Sequence, residues 1–466
     1  MTTSLWHDRP ERPRYTDLES ADGDFDDVVV GAGLTGLTTG LLLARTGRRV
    51  LVLEARQRGA VTTGLTTAKV SLLQGTKLSR MRQHHGQKLV SAYVEGNREG
   101  QAWLLRFCDE HGVAVDRRPA VTYAADEQEL GSARAEHDVA LAAGLPVRWE
   151  DALDVPVSHV GGTVLEDQAA VDPLDVLDAL AAQFRAHGGV LHEGLRATEV
   201  SWDGRRVTVD DGRWLRTSTV VLATGTPTLD RGLVFAKVEA QRSYVLVMSG
   251  VRPPHQMMLS AGSPGFSLRA VERDGTELLM VGGCGHVVGR TGSEQQHYDD
   301  LRRWAQGAYP DAEVTHAWSA QDYGAPDGVP YIGPLPRGGG RVYAATGYDK
   351  WGMTNAVAAA LGITAEILNG TPPAWQRALR HRFTGPRQAA GLAQLNVQVG
   401  VAACRTLPGL GRRPLCTHLG GVLHRNDAEG TWDCPLHGSR FAEDGAVLEG
   451  PATQPLGWIP KPGAQT

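Results

Sequence analysis

FDDVVVGAGLTGLTTGLLLARTGRRVLVLEAR, Phe25 to Arg56, reads as strand, glycine-rich turn, helix and second strand. Val28 to Val30 form a short β-branched run suited to a buried parallel strand. Gly31-Ala32-Gly33-Leu34-Thr35-Gly36 follows as the turn. Leu37 to Leu43 continue an apolar helix that stops at Gly47, a natural residue just past a helix C-terminus. Val50 to Leu53 form the second strand, and Glu54 ends it, 23 positions after Gly31. That spacing suits an acid that binds a ribose hydroxyl. Gly31 makes the tight turn, Gly33 lets a pyrophosphate approach the main chain, and Gly36 lets helix pack on strand. The helix N-terminus faces the phosphate charge. The candidate dinucleotide contacts are therefore Gly31, Gly33, Leu34, Thr35 and Gly36 on the turn, with Glu54, Ala55 and Arg56 at the end of the second strand.

Working outward, 466 residues are enough for two or three domains with a large core. Hydrophobic residues make up 41% and charged residues 21%, with a net charge of -5, so nothing suggests nucleic acid as a partner. The start, MTTSLWHDRPERPRYTDLESADGD, lacks the apolar core of a signal peptide. No apolar run is long enough to span a membrane, and a cytoplasmic location is expected. Five sparse cysteines argue against a disulfide framework. Cys108 and Cys284 read as small buried hydrophobes.

NAD and FAD share the glycine fingerprint, and later segments favour FAD. WLRTSTVVLATGT ends a strand at Ala223, Thr224 and Gly225. RVYAATGYDKWGMTNAVAAALGITAEIL gives a strand, a turn at Gly347, and a helix that starts near Thr354 and offers amides to an extended cofactor. No second G-x-G-x-x-G unit is visible, so the flavin is expected to take electrons from an organic substrate rather than from a nicotinamide.

With these motifs, residues 25 to 370 resemble the D-amino-acid-oxidase-like family of FAD-dependent oxidoreductases, which includes glycine oxidase and sarcosine oxidase. The whole chain resembles bacterial members with a C-terminal Rieske domain. GAGLTG with Glu54, TTGLTTAK at 62 to 69, LATG at 222 to 225, QDYGAPDGVPYIGP at 321 to 334 and TGYDKWGMT at 346 to 354 carry the resemblance. It implies that Thr66, Thr67 and Ala68 lie beside the FAD. It also implies that Trp351, Gly352, Met353 and Thr354 lie beside the flavin ring or ribityl chain, and that the Val200 backbone approaches the adenine.

The tail holds CTHLGGVLHRNDAEGTWDCPLHGSR, with Cys416, His418, Cys434 and His437 in the pattern C-x-H-x15-C-x-x-H. In a Rieske [2Fe-2S] centre two cysteines hold one iron and two histidines the other. Tetrahedral zinc also accepts two Cys and two His, but usually from a Cys pair followed by a His pair. Ser439 is a candidate hydrogen-bond donor behind the ligands. Many relatives that the chain resembles have cysteines at the positions of Gly421 and Leu436, joined as a disulfide across the cluster loops; here that brace is missing.

The expected fold class is α/β: a Rossmann-type FAD-binding domain, an antiparallel β-sheet substrate domain and a small all-β Rieske-like domain. Residues 1–375 form the flavoprotein, with FAD-binding parts near 25–80, 165–235 and 335–370 and the substrate sheet near 85–160 and 236–330. Residues 376–395 are the expected linker and 396–466 the Rieske domain, short of strands before Cys416. Lys69, Arg242 and Tyr348 are the candidate catalytic residues, and Tyr244, Arg269 and Lys350 are further polar groups expected near the flavin. Arg242 or Arg269 is suited to a substrate carboxylate. His286 is a candidate base, or a hydrogen-bonded structural histidine. Trp375, Trp432 and Trp458 are expected to pack the tail. The expected function is oxidation of an amine or amino-acid-like substrate at a C–N bond, with electrons passing from FAD to the cluster and on to a protein or small-molecule acceptor. An electron-transfer component that feeds a partner oxygenase, and a non-enzymatic redox sensor, are the alternatives.

Overall fold

A computed structural model describes residues 3–20, 23–228, 231–380 and 386–459. The opening motif forms strand Phe25–Val30, helix Leu34–Ala44 and strand Val50–Glu54, with the two strands parallel and in register from Asp27↔Val50 to Val30↔Leu53. Val28, Val29, Leu37, Leu41 and Val52 are fully buried. Each such side chain contributes about 1.5–3 kcal/mol relative to leaving it in water. The sheet continues outward on both sides in the order Tyr331–Pro334, Val342–Thr346, Trp214–Leu222, Phe25–Val30, Val50–Glu54, Val190–Glu193. The four interfaces from Val342–Thr346 to Val190–Glu193 are parallel. The order places the ATG turn after Leu222 and the turn after Thr346 beside the glycine turn, at the C-terminal ends of their strands, where open α/β sheets bind ligands.

A second sheet runs Glu313–Gly324, Glu239–Ser249, Thr276–Val287, Ser267–Arg273, Met257–Ser260, Val115–Ala124, Gly161–Val171, Lys69–Val70, and is antiparallel except where Met257–Ser260 meets Val115–Ala124. One of its faces shares the large core with the first sheet's helices, and the other covers a separate cluster around Tyr244, Leu246 and Leu301. Expectation and structure part at residues 85–160. Helix Gln87–Glu110 occupies the first third of that range, and only Val115–Ala124 and Arg148–Glu150 there are strands. The helix packs closely on helix Gly352–Asn369, because Gly100 leaves no side chain between it and the Thr354 and Ala358 backbone.

Among the described residues, the expected linker at 376–395 is helical. Helix Ala374–Arg380 precedes residues 381–385, which lie outside the described residues, and helix Pro386–Thr406 follows them and supplies the chain ahead of Cys416 in place of strands. Trp375 packs against Gly96 and Gly362 of the flavoprotein body, and Trp458 is half exposed, so of the three tryptophans only Trp432 fills the tail's core. The tail forms a four-stranded antiparallel sheet, His424–Asn426, Thr431–Asp433, Arg440–Phe441 and Val447–Glu449. Residues 460–466 of the expected domain lie outside the described residues.

Candidate functional site

The glycine turn is built as its sequence demands. Gly31 has φ 106°, and a Cβ there would lie 2.5 Å from the Ala223 carbonyl oxygen. A Cβ on Gly36 would lie 1.8 Å from the Gly31 oxygen, which fixes how closely helix and turn approach. Gly33 differs: its backbone is extended, and a Cβ there would meet only the Thr63 hydroxyl, at 3.2 Å. The space beside it is a cradle that a side chain would fill. At the start of the helix after Gly33 the Leu34 amide donates to the Thr63 hydroxyl at 3.3 Å, and the residue before the helix that starts at Gly352 makes no side-chain cap. Glu54 is tied down by the Ala32 and Arg56 amides, both at 2.9 Å, and burial pushes its carboxyl up. Ala55 follows it at the mouth of the turn, and Val200 is buried on strand Ala197–Val200, which hangs off the same sheet. Tyr348 joins the two expected cofactor loops through a 2.9 Å hydrogen bond between its hydroxyl and that of Thr35.

Three of the eight described non-glycine residues with left-handed backbone lie at or beside expected FAD contacts. Ala68 has φ 56°, Asp349 51° and Lys350 71°. Such strain persists only where the surroundings over-determine it. Lys77 at 3.1 Å and Arg80 at 2.6 Å clamp the Asp349 carboxylate, and hold its pKa well below the usual carboxylate range against the opposing effect of burial. Thr62 donates to the Gln321 carbonyl at 2.7 Å, and Trp318 donates to the Leu65 carbonyl at 2.8 Å, so the loop before Thr66 is stitched to the second sheet. Gly225, Gly347, Trp351, Met353 and Thr354 stand on turns and a helix start at the ends of the parallel strands. Half-buried Ala223 and Thr224 and exposed Gly225 follow strand Trp214–Leu222 directly.

Lys69 and Arg269 form a buried cationic pair on the sheet face that meets this loop. Lys69 Nζ donates to the Met258 carbonyl at 2.9 Å and to Ser267 Oγ at 2.5 Å. Burial, with the Arg269 charge added, pushes its pKa down to about 7. Arg269 is 2% exposed; one nitrogen donates to the Ala270 carbonyl at 3.0 Å, while Nε and Nη2 have no hydrogen-bond partner. Its guanidinium stands 5.5 Å from the Trp6 ring centroid, and Trp6 Nε1 donates to the Thr66 carbonyl at 2.7 Å. Thr67 and Ser267 both approach Gly282, whose missing side chain leaves them room. Trp6 was missed in the sequence because a polar leader surrounds it; the adjacent Leu5-Trp6 pair was the available signal.

Arg242 is not at this site. Its fully buried guanidinium donates to Ser319 Oγ at 2.8 Å and Gln321 Oε1 at 3.1 Å, and faces Asp433 and Glu429 of the tail, each at 3.5 Å. A buried cation needs compensating charge, and the tail's carboxylates supply it, so its role is docking. His286 lies on the opposite sheet face. It bonds the Tyr244 hydroxyl at 2.8 Å, stacks on His297 at 4.3 Å, and burial pushes its pKa down to about 4, so it stays neutral. Lys350 is exposed, and its backbone amide bonds Asp322.

In the tail, two tight loops bring the four expected ligands together as two pairs. The Cys416 amide donates to the Gly421 carbonyl and the Cys434 amide to the Ser439 carbonyl, both at 2.8 Å. A hydrogen bond between the two thiols, with Ser439 adding to it, draws Cys416 down to about 6 and Cys434 up. The His418 and His437 rings stand 5.4 Å apart, edge to face. Among the described residues no three such side chains converge on one point fit for a single metal ion. A thiol pair and an imidazole pair fit two irons, one served by each pair. Where relatives were expected to carry a disulfide, Leu436 covers Gly421: a Cβ on Gly421 would lie 2.7 Å from Leu436 Cδ1.

Residues 26–366 match the family model for FAD dependent oxidoreductases, and residues 412–460 match that for the Rieske [2Fe-2S] domain. YhfW of Bacillus subtilis, named for a Rieske 2Fe-2S iron-sulfur protein, is 29% identical over 97% of this chain and 96% of its own length. L-proline dehydrogenase from P. horikoshii superposes with a TM-score of 0.62 at 17% identity, over 75% of this chain and 95% of that one. Glycine oxidase from Geobacillus kaustophilus does so with a TM-score of 0.62 at 18% identity, over 76% and 96%. At such identities the likeness is one of fold. The first family match spans well over half the sequence: this chain belongs to the FAD dependent oxidoreductases, and it joins an FAD-binding body to a Rieske domain with its [2Fe-2S] cluster.

Proposed function

We propose that the protein oxidises an amine or amino-acid-like substrate at its C–N bond and releases the electrons through the Rieske cluster. The observation that carries the substrate class is the pair of partnerless Arg269 nitrogens, Nε and Nη2, beside Lys69. Arg269 Nε and Nη2 are buried without acceptors and the Lys69 amine stands beside them, an arrangement that costs stability unless an anion joins it. A substrate carboxylate supplies both charge and acceptors, bidentate on the guanidinium. A purely electron-transferring flavoprotein would have no use for such a pair. The likeness in fold to L-proline dehydrogenase and glycine oxidase supports the same class.

The residues divide the work as follows. Gly31, Gly33, Leu34, Thr35, Gly36, Glu54, Ala55 and Arg56 hold the adenosine and pyrophosphate end, with Val200 at the adenine. Thr66 to Ala68, Ala223 to Gly225, Gly347 and Trp351 to Thr354 hold the flavin end. Lys69, Arg269 and Ser267 orient the substrate, Trp6 shuts water away from them, and Tyr348 braces the loops. Bound FAD supplies the two-electron acceptor for the substrate C–H bond, and the cluster, held by Cys416, His418, Cys434 and His437, passes electrons singly. The substrate loses two electrons and two protons to become an imine; the electrons leave for a one-electron acceptor and the protons for water. The test is an anaerobic screen of amines and amino acids for flavin bleaching. A carboxylate-bearing substrate whose KM rises in Arg269→Met with little change in kcat supports the reading; bleaching by amines alone, unaffected by that substitution, refutes the carboxylate site.

A further inference from the structure

Two aromatic side chains lie where the two cofactor-bearing parts meet. Tyr323, at the end of strand Glu313–Gly324, is buried with its ring between the loops. A Cβ on Gly225 of the ATG turn would lie 3.3 Å from Tyr323 Cε2, and a Cβ on Gly438, next to His437, would lie 3.6 Å from Tyr323 Cε1. One ring edge thus faces the flavoprotein's turn and the other faces the second ligand loop. Hydrogen bonds fix it there. Its hydroxyl donates to the Gly450 carbonyl at 3.1 Å and accepts from Gln321 Nε2 at 2.9 Å, and that same nitrogen reaches the Gly438 carbonyl at 2.7 Å. Its backbone carbonyl accepts from Asp349 at 2.9 Å, in the strained turn before Trp351. Phe235 comes from the segment that follows the ATG turn, and its ring meets His418 edge-on at 4.9 Å and His437 at 4.7 Å between centroids. Arg290 donates to the Pro435 carbonyl at 2.8 Å, holding the same ligand loop from a third side.

We infer that Tyr323 and Phe235 are the bridge by which electrons cross from the flavin to the cluster, and that they hold the histidine edge of the cluster against the flavoprotein body in one fixed arrangement. The inference rests on the reading that the Gly225 turn lines the FAD and that electrons leave by the cluster. Packed side chains shorten the gaps that an electron must cross, and a docked interface needs no domain swing to bring donor and acceptor together. In each crossing the flavin loses one electron and the cluster gains it. The cluster then gives that electron to a one-electron acceptor before the next crosses, and the flavin's protons go to water. Both residues act through position: neither gains nor loses a proton, and the Tyr323 hydroxyl is held protonated by burial.

The test uses the full-length holoprotein, with Tyr323→Phe, Tyr323→Leu and Phe235→Leu beside wild type. A flash-generated 5-deazaflavin radical reduces the protein anaerobically, and absorbance follows the flavin and the cluster separately. Wild type should show a flavin-to-cluster phase whose rate is independent of protein concentration. Tyr323→Phe keeps the ring and should keep that rate, whereas Tyr323→Leu should slow it by about tenfold or more, with FAD, iron and sulfide contents unchanged. Phe235→Leu should slow it too and shift the EPR g-values of the reduced cluster. An unchanged rate in Tyr323→Leu overturns the bridge while leaving the electron route standing. If Tyr323→Leu lost a cofactor, Phe235→Leu would decide, with an unchanged rate overturning the inference and a slowed one upholding it. Absence of any intraprotein phase in wild type refutes the electron route itself.

Discussion

Gly33→Val should separate FAD binding from folding. Gly33 has φ −80° and ψ −175°, extended backbone that valine adopts readily. The new Cβ meets only the Thr63 hydroxyl at 3.2 Å; turning that hydroxyl away gives up its 3.3 Å bond from the Leu34 amide, so the apoprotein should lose about 1 kcal/mol of stability. The same side chain enters the space that a pyrophosphate needs. Overpacking of that kind costs about 1–3 kcal/mol, which predicts roughly 5- to 150-fold weaker FAD binding. Gly36→Ala is the opposite case. Its Cβ would lie 1.8 Å from a backbone oxygen that cannot yield, so the fold itself should suffer by more than about 3 kcal/mol. Titration of apoprotein by flavin-fluorescence quenching gives the affinities, and thermal melts without FAD give the stabilities. A Gly33→Val protein that binds FAD as tightly as wild type would refute the phosphate cradle, and a Gly36→Ala apoprotein that melts normally would refute the packing argument.

Lys69 makes stability depend on pH. Its folded pKa of about 7 lies below the ordinary 10.5, so between those values the unfolded chain holds a proton that the folded chain has released, and stability should rise with pH across that window. Urea denaturation of the apoprotein at pH 7, 8 and 9 should show that rise flattened in Lys69→Met. Cys434→Ser should abolish the cluster, read by iron, sulfide and EPR, while FAD stays bound, because the thiol pair and the dinucleotide turn share no residue. Asp427→Ala removes the carboxylate that accepts the Glu294 and Gln295 amides at 2.7 and 3.1 Å. It should cost about 1 kcal/mol in thermal stability, as for other helix caps.

The βαβ unit was legible because each of its glycines answers a steric demand local to the sequence. The thiol pair and the imidazole pair of the tail were legible because their spacing sits in two short loops. Arg242 was misread because only tertiary structure says what a buried guanidinium faces. It lies next to Ser243 on a strand that does border the substrate domain, but register turns it toward Asp433 and Glu429, nearly 200 positions away. Trp6 and Arg269 pair across more than 250 positions, a contact that no periodicity announces. The helix ahead of Cys416 is masked in the sequence by the Pro and Gly residues around its start, although Gln388, Ala389, Ala390 and Leu392 are good helix formers.

The manner of docking bears on why the two parts share one chain. A tether alone raises effective concentration and would allow the tail to wander. Here the joint is charged and buried as well. Arg242 and Asp433 are fully buried, and Arg440 meets Glu429, Asp433 and Glu449 from the tail's side. Breaking one partner of such a network leaves a bare charge in a low-dielectric setting, which costs far more than the pair itself contributes. The tail therefore cannot lift off without exposing Arg242 to an unpaired state, or rehydrating the whole network at once. Asp427 reinforces this by capping helix Glu294–Ala308 of the body. Covalent linkage secures the partner, whereas the buried carboxylates set its orientation. A tail seated in this way would hold Cys416, His418, Cys434 and His437 at one distance from the glycine turn of the body.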